Sequence, residues 1–353
     1  MTERDDVIRR PEDLTAGWLT GVLERGAVAS FRTEAIGTGQ MSDSFRVGLT
    51  YAEERGAGPR SVVLKVASSD ATSRATGTGL GAYEREIRFY REVGPGIEGP
   101  VATCHHASFD AADGWFTLLL EDAAPAEQGD QIAGCDPGQA RLAVTELAKI
   151  HASTWEDARL GSAEWLTQPS LLNQDLVSKL LPSFLERYED RLASEHREVC
   201  ERLVARLDGW LVNRPRPFAL QHADYRLDNL LFGLPDSPKS LTVVDWQTVS
   251  FGPVMLDASY LLAGSLGVED RRAHEEELLR AYHDTLLAHG VEGFSWEACW
   301  DGYRLQAFHG VLMAIAASML VVRTERGDDM FMTSLARGAQ QILDLDALDL
   351  LDQ

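Results

Sequence analysis

Residues 221–232, QHADYRLDNLLF, crowd one His, two Asp, one Arg and one Asn between a proline-broken stretch (NRPRPFAL, 213–220) and a strand-like run (LTVVDWQTV, 241–249). The plain reading is a capped turn, because Asp and Asn side chains readily bond their own backbone in loops. The spacing supports a more specific one. His222, Asp224 and Asn229 form H-x-D-x-x-x-x-N, and Asp245 follows directly on the apolar run LTVV. Phosphoryl transfer needs a carboxylate to orient and deprotonate the attacking hydroxyl, and hard oxygen ligands to hold Mg²⁺ against the phosphates. Asp224 is the candidate base, and Asn229 and Asp245 are the candidate metal ligands.

That chemistry makes demands on the chain before residue 221. It asks for a Gly-rich hairpin, then a strand Lys, then a helix Glu to hold the Lys. Gly37, Thr38 and Gly39 open such a hairpin, with Ser42 where a third Gly is expected. Glycines there let backbone N–H groups approach phosphate oxygens. Lys65 interrupts the apolar run VVLKV (62–66), where it is expected to be buried and paired. Glu86 in EREIRFY is the better partner. Glu84 competes, because two residues along a helix point differently. A second Gly-rich stretch, Gly77-Thr78-Gly79-Leu80-Gly81-Ala82, fits the dinucleotide fingerprint, but polar and small residues separate it from the strand that such a motif must follow. It reads as a mobile connection into the next helix.

The elements around these motifs change character along the chain. FRTEAIG, SFRVGLTY, SVVLKVA, VATCHHASF and WFTLLLE read as strands, with AEERGAGPR as a hairpin loop and GAYEREIRFYREVG as one helix. From residue 137 most segments read as long helices, except a strand-and-loop island at 217–248. This is an α+β pattern in two lobes, 1–122 and 123–353. The balance of 33 Lys+Arg against 55 Asp+Glu gives a net charge of −22, which disfavours nucleic acid and anionic lipid as partners. The run VLMAIAASMLVV (311–322) is too short to span a bilayer and reads as a buried helix. Four dispersed cysteines and a charged N-terminus suit a cytoplasmic protein.

IGTGQMSDSFRV (36–47), VLKV (63–66), YEREIRFYREV (83–93), LLLED (118–122), ELAKIHASTW (146–155), the 221–232 loop and DWQ (245–247) together resemble the aminoglycoside phosphotransferase and choline kinase-like superfamily. The resemblance is nearest its ecdysteroid kinase-like and acyl-CoA dehydrogenase-associated branches, and it covers nearly the whole chain. It implies a bilobal protein kinase-like fold that uses ATP and Mg²⁺. LLLED would be the hinge, with adenine held by backbone groups near Glu121 and Ala123. His222 would orient the catalytic loop, His151 would be packed structure, and Asp257 would cap its helix or brace the loop. Arg226 is open to two readings, a γ-phosphate contact or a surface ion pair. The family usually has Gly where this chain has Ala223.

Eleven residues separate Asp245 from Asp257 and no A-P-E occurs, unlike the long activation segment of a protein kinase. A small hydroxylated acceptor is therefore expected, housed by the helical insert between Trp155 and Asn213. Trp165, Leu171, Leu172, Phe184, Phe308 and Met313 are compatible with a steroid or acyl acceptor, or equally with core. The alternatives are an aminoglycoside kinase and a nucleotide-binding protein without catalysis.

Overall fold

A computed structural model describes residues 7–37, 41–53 and 58–352. The chain divides into two compact units. The first comprises residues 1–97, 101–125 and 233–249, and the second 98–100, 126–232 and 250–353. The sequence reading counts 233–249 with the second half, but this segment packs within the first unit. A chain position does not reveal such a return, because its contacts, the parallel bridge between Val101 and Val243 among them, join residues far apart in the chain.

The first unit opens with helix α1 (Ala16–Leu23), whose Thr15 cap accepts from Trp18 N. A five-stranded antiparallel sheet follows: β1 (Val28–Ile36), β2 (Ser42–Tyr51), β3 (Ser61–Ala67), β4 (Cys104–Asp110) and β5 (Trp115–Glu121), in the order β1-β2-β3-β5-β4. Alternation along β3 decides where its lysine goes. Val62, Leu64 and Val66 face a core that holds Leu14, Leu19 and Leu23. Lys65 lies between them in sequence and so points to the opposite face.

Between β3 and β4 the chain forms helix α2 (Ala71–Gly79) and helix α3 (Ala82–Arg88), continued by a π turn at Phe89–Val93. The expected mobile connection is thus the last turn of α2 followed by a tight turn at Leu80 and Gly81 into α3. Asp70 caps α2 by accepting from Ser73 N at 2.7 Å, a local bond that offsets the poor helix propensity of its glycines. Gly77 is there for packing: a Cβ would come 2.4 Å from Tyr83 Cζ.

The second unit is mainly helical. Helix α4 (Pro137–Ser153) begins with Pro137 at its first turn and a capping box between Asp136 and Gln139. It packs on the helix Val268–Ala288, and the helix Phe308–Leu320 packs on Glu325–Asp344. Strands Phe218–Gln221 and Ser250–Pro253 pair antiparallel, and the 221–232 loop leaves the end of the former. The apolar run at 311–322 is helical as far as Leu320 and buried along most of that length, while Leu320, Val321 and Val322 at its end are exposed. Among the described residues no helix is long and apolar enough to cross a membrane.

Candidate active site

In the first unit the sheet and α3 bring Lys65, Glu86 and Asp245 together. Lys65 Nζ donates to Glu86 Oε1 at 2.7 Å, to Glu86 Oε2 at 2.8 Å and to Asp245 Oδ1 at 2.8 Å. The Glu86 side chain is 1% exposed, whereas that of Asp245 is 41% exposed. Burial opposes the Lys65 charge, but Asp245 and Glu86 outweigh it and raise its pKa. The ammonium is therefore held charged. Glu84, the competing partner, points outward and lies 3.8 Å from Arg88.

The motif DWQ acts as one unit. Asp245 adopts a left-handed backbone (φ 68°, ψ 59°) that directs its carboxylate onto Lys65. A non-Gly residue keeps that conformation only when its surroundings fix it. Trp246 fixes it by stacking on Phe89, with centroids 3.9 Å apart and planes 11° from parallel. Gln247 Nε2 donates to Glu86 Oε2 at 3.3 Å. The roles of Trp246 and Gln247 escape sequence reasoning, although their adjacency to Asp245 was a signal.

The remaining nucleotide-site candidates of this unit vary. Gly37 has φ 73°, a conformation suited to glycine, and Thr38 and Gly39 lie outside the described residues. Ser42 is buried at the start of β2, opposite Ala67. Glu121 accepts from Lys239 Nζ and from Thr103 N and Oγ1, both at 3.0 Å. Burial works against its charge, but Lys239 and Thr103 hold the carboxyl below its usual range. The Ala123 carbonyl accepts from Ser237 Oγ at 3.3 Å.

In the second unit the loop 222–229 is organised around two aspartates. Asp257 Oδ2 accepts from His222 N at 2.6 Å and Oδ1 from Ala223 N at 2.9 Å. Asp257 thus braces the loop and does not cap its helix, whose N-cap is Met255. Ala223 stands at φ 61°, the left-handed region that favours glycine. Asp257 on its N–H and His309 Nε2, which donates to its carbonyl at 3.0 Å, hold it there. His222 is buried, and its Nδ1 accepts from Asp224 N at 3.3 Å, an orienting contact.

Asp224 accepts from Asn229 Nδ2 at 2.9 Å, from Arg226 Nε at 3.1 and 3.2 Å, and from the Tyr260 hydroxyl at 3.3 Å. Asn229 Nδ2 also donates to the Asp224 carbonyl at 2.9 Å, so that both of its side-chain contacts to Asp224 are made by the nitrogen and the amide oxygen remains an acceptor. Burial and the Asp224 charge push the Tyr260 pKa up, so its hydroxyl stays a donor. Burial opposes the Arg226 charge, but Asp224, Tyr260 and Asp228 more than offset that. No sequence signal pointed to Tyr260, which reaches Asp224 from the helix Leu256–Ser265. His151 is packed structure, with Nδ1 hydrogen-bonded to the Tyr282 hydroxyl at 2.6 Å. Trp165, Phe184 and Phe308 are buried, while Leu171 is exposed.

Asn229 and Asp245 thus belong to different units. Among the described residues, no three or more His, Cys, Asp or Glu cluster as metal ligands. Each by itself carries a hard oxygen of the kind that Mg²⁺ takes, a carboxylate in Asp245 and an amide carbonyl in Asn229.

The fold and these two clusters define a protein kinase-like architecture. Three solved structures share it. A Ralstonia eutropha protein assigned to the aminoglycoside phosphotransferases has a TM-score of 0.55 and 17% identity, covering 95% of this chain and 97% of the other. The ADP-bound aminoglycoside phosphotransferase APH(2'')-Ib has 0.51 and 16%, covering 94% and 99%. A Plasmodium vivax ethanolamine kinase has 0.50 and 10%, covering 88% and 82%. The chain belongs to the ecdysteroid kinase-like family, whose model matches residues 37–291. It is also 32% identical over 89 residues to an uncharacterized kinase-like protein of Caenorhabditis elegans, a match that spans 25% of this chain and 23% of that protein's length.

Proposed function

We propose that the protein is a small-molecule kinase that transfers the γ-phosphate of Mg-ATP to a hydroxyl of a small, apolar acceptor, steroid-like or hydroxyacyl. The observation that carries this reading is Lys65 Nζ, clamped by buried Glu86 and reaching the more exposed Asp245. Membership of a kinase-like family supports it, as do the nucleotide-bound and ethanolamine kinase neighbours in the same fold. Lys65 would bind the nucleotide phosphates, with Gly37, Thr38, Gly39 and Ser42 covering them and Glu121 and Ala123 beside the base. Asp245 and the Asn229 amide oxygen would hold Mg²⁺, which when bound neutralises phosphate charge. Asp224 orients the acceptor hydroxyl and takes its proton, and His222 and Asp257 hold the loop that carries it.

The test is incubation with Mg-ATP and a panel of hydroxylated metabolites that includes steroids, hydroxyacyl compounds and aminoglycosides, with phosphorylated products read by mass spectrometry. Wild type yields a product and Asp224→Ala does not. Undiminished turnover in Asp224→Ala sinks the mechanism. Tight Mg-ATP binding with no product from any acceptor leaves a nucleotide-binding protein without catalysis. Phosphorylated aminoglycosides alone replace the proposed acceptor class.

A further inference from the structure

Asp224 carries more hydrogen bonds than a poised base can use. Oδ1 accepts from Arg226 Nε at 3.1 Å and from the Tyr260 hydroxyl at 3.3 Å. Oδ2 accepts from the same Arg226 Nε at 3.2 Å and from Asn229 Nδ2 at 2.9 Å. An ionised carboxylate offers about four lone-pair sites, and these contacts take all of them. A hydroxyl arriving at such a base finds no site for its hydrogen.

Arg226 is the donor that can yield. Tyr260 is packed edge-on to His309 with centroids 5.1 Å apart, and Asn229 is tied to the loop backbone through the Asp224 carbonyl. Arg226 instead makes two contacts with one shared N–H, so one side-chain movement opens a site on each carboxylate oxygen. It also has a place to go. Its Nη1 already bonds Asp228 Oδ2, and Asp228 is anchored by Gln131 N at 3.0 Å and by Arg326 Nη2 at 3.2 Å.

We propose that Arg226 is a positioning residue that caps Asp224 against water and gives way only to the acceptor, so that it selects acceptor phosphorylation over ATP hydrolysis. The inference rests on Asp224 being the base. In the transfer, the acceptor oxygen bonds to phosphorus while the bond from phosphorus to the ADP oxygen breaks, and the acceptor proton passes to Asp224. Water can replace the acceptor in the same step, giving ADP and inorganic phosphate. An uncapped Asp224 would serve water, and the capped one does not.

The experiment measures acceptor-free hydrolysis of Mg-ATP in wild type, Arg226→Gln and Arg226→Lys, with calorimetric affinity for Mg-AMP-PNP and thermal midpoints alongside. Arg226→Lys retains a cation for Asp228 without the shared Nε–H, and it keeps the test valid if Arg226→Gln does not fold. Hydrolysis is expected to rise about tenfold, a change of about 1.4 kcal/mol in the barrier, with nucleotide affinity unchanged. Unchanged or slower hydrolysis in a folded variant that binds nucleotide like wild type overturns the proposal. Slower hydrolysis with lost affinity also overturns it, making Arg226 a nucleotide ligand. A wild type that does not bind Mg-AMP-PNP overturns the kinase reading itself, and this inference with it.

Discussion

Lys65 and Arg226 are both cations set among carboxylates, yet their surroundings give them opposite characters. Lys65 makes three contacts of 2.7–2.8 Å, and its Glu86 partner is sealed in the first unit. Arg226 spans Asp224 with a single shared N–H at 3.1–3.2 Å, in a loop whose backbone includes a strained alanine. Desolvation makes the first cluster a strut, since a charge buried there cannot lose its partner cheaply. The second is also largely buried, but it is held by longer, shared hydrogen bonds, and Arg226 keeps its Asp228 ion pair when its N–H leaves Asp224, so exchanging one donor for another costs less. In the proposed kinase, rigidity would suit the binding of a phosphate chain, and replaceable bonds would suit a group that takes up a proton.

The sharpest way to break this contrast is to remove one group from each side. Asp224→Ala is expected to lower phosphoryl transfer by about 10²- to 10⁴-fold, the usual share of a general base, with little change in denaturation midpoint. Lys65→Ala should do the reverse. It leaves Glu86 buried without its cation and should cost about 3–5 kcal/mol of stability, read by urea denaturation, besides weakening nucleotide binding. If Lys65→Ala unfolds at the wild-type urea concentration, the strut interpretation is wrong.

Two smaller substitutions sharpen the account of the loop. Asp257→Ala leaves the N–H groups of His222 and Ala223 without their acceptor and should cost about 3 kcal/mol, given roughly 1–3 kcal/mol per buried unsatisfied group. Faster amide exchange at residues 222 and 223 would accompany it. Ala223→Gly should be the mildest and of opposite sign. Relief of the left-handed strain, about 1–2 kcal/mol, exceeds the entropy glycine loses on folding, about 0.5–1 kcal/mol. A net gain of about 0.5–1 kcal/mol in unfolding free energy is the result to check. A loss would mean that the alanine methyl makes a packing contact worth more than the strain.

Periodicity of two and of 3.6 was enough to read the five strands of the sheet and most of the helices from the sequence, though not α2, and the residue types able to carry phosphoryl chemistry were legible as well. Lys65 in an apolar strand and Asp245 after another were legible because a charge in such a run demands a partner. Which partner Lys65 takes depends on how the helix packs. Glu86 and Glu84 lie on one helix, and burial against the sheet separates them. The Asp257 brace, the Tyr260 contact and the return of residues 233–249 to the first unit depend on side-chain directions between segments far apart in the chain. The left-handed turn at Ala223 is the same kind of fact. Local propensity argues against it, and it exists because Asp257 and His309, distant in sequence, hold both sides of the residue.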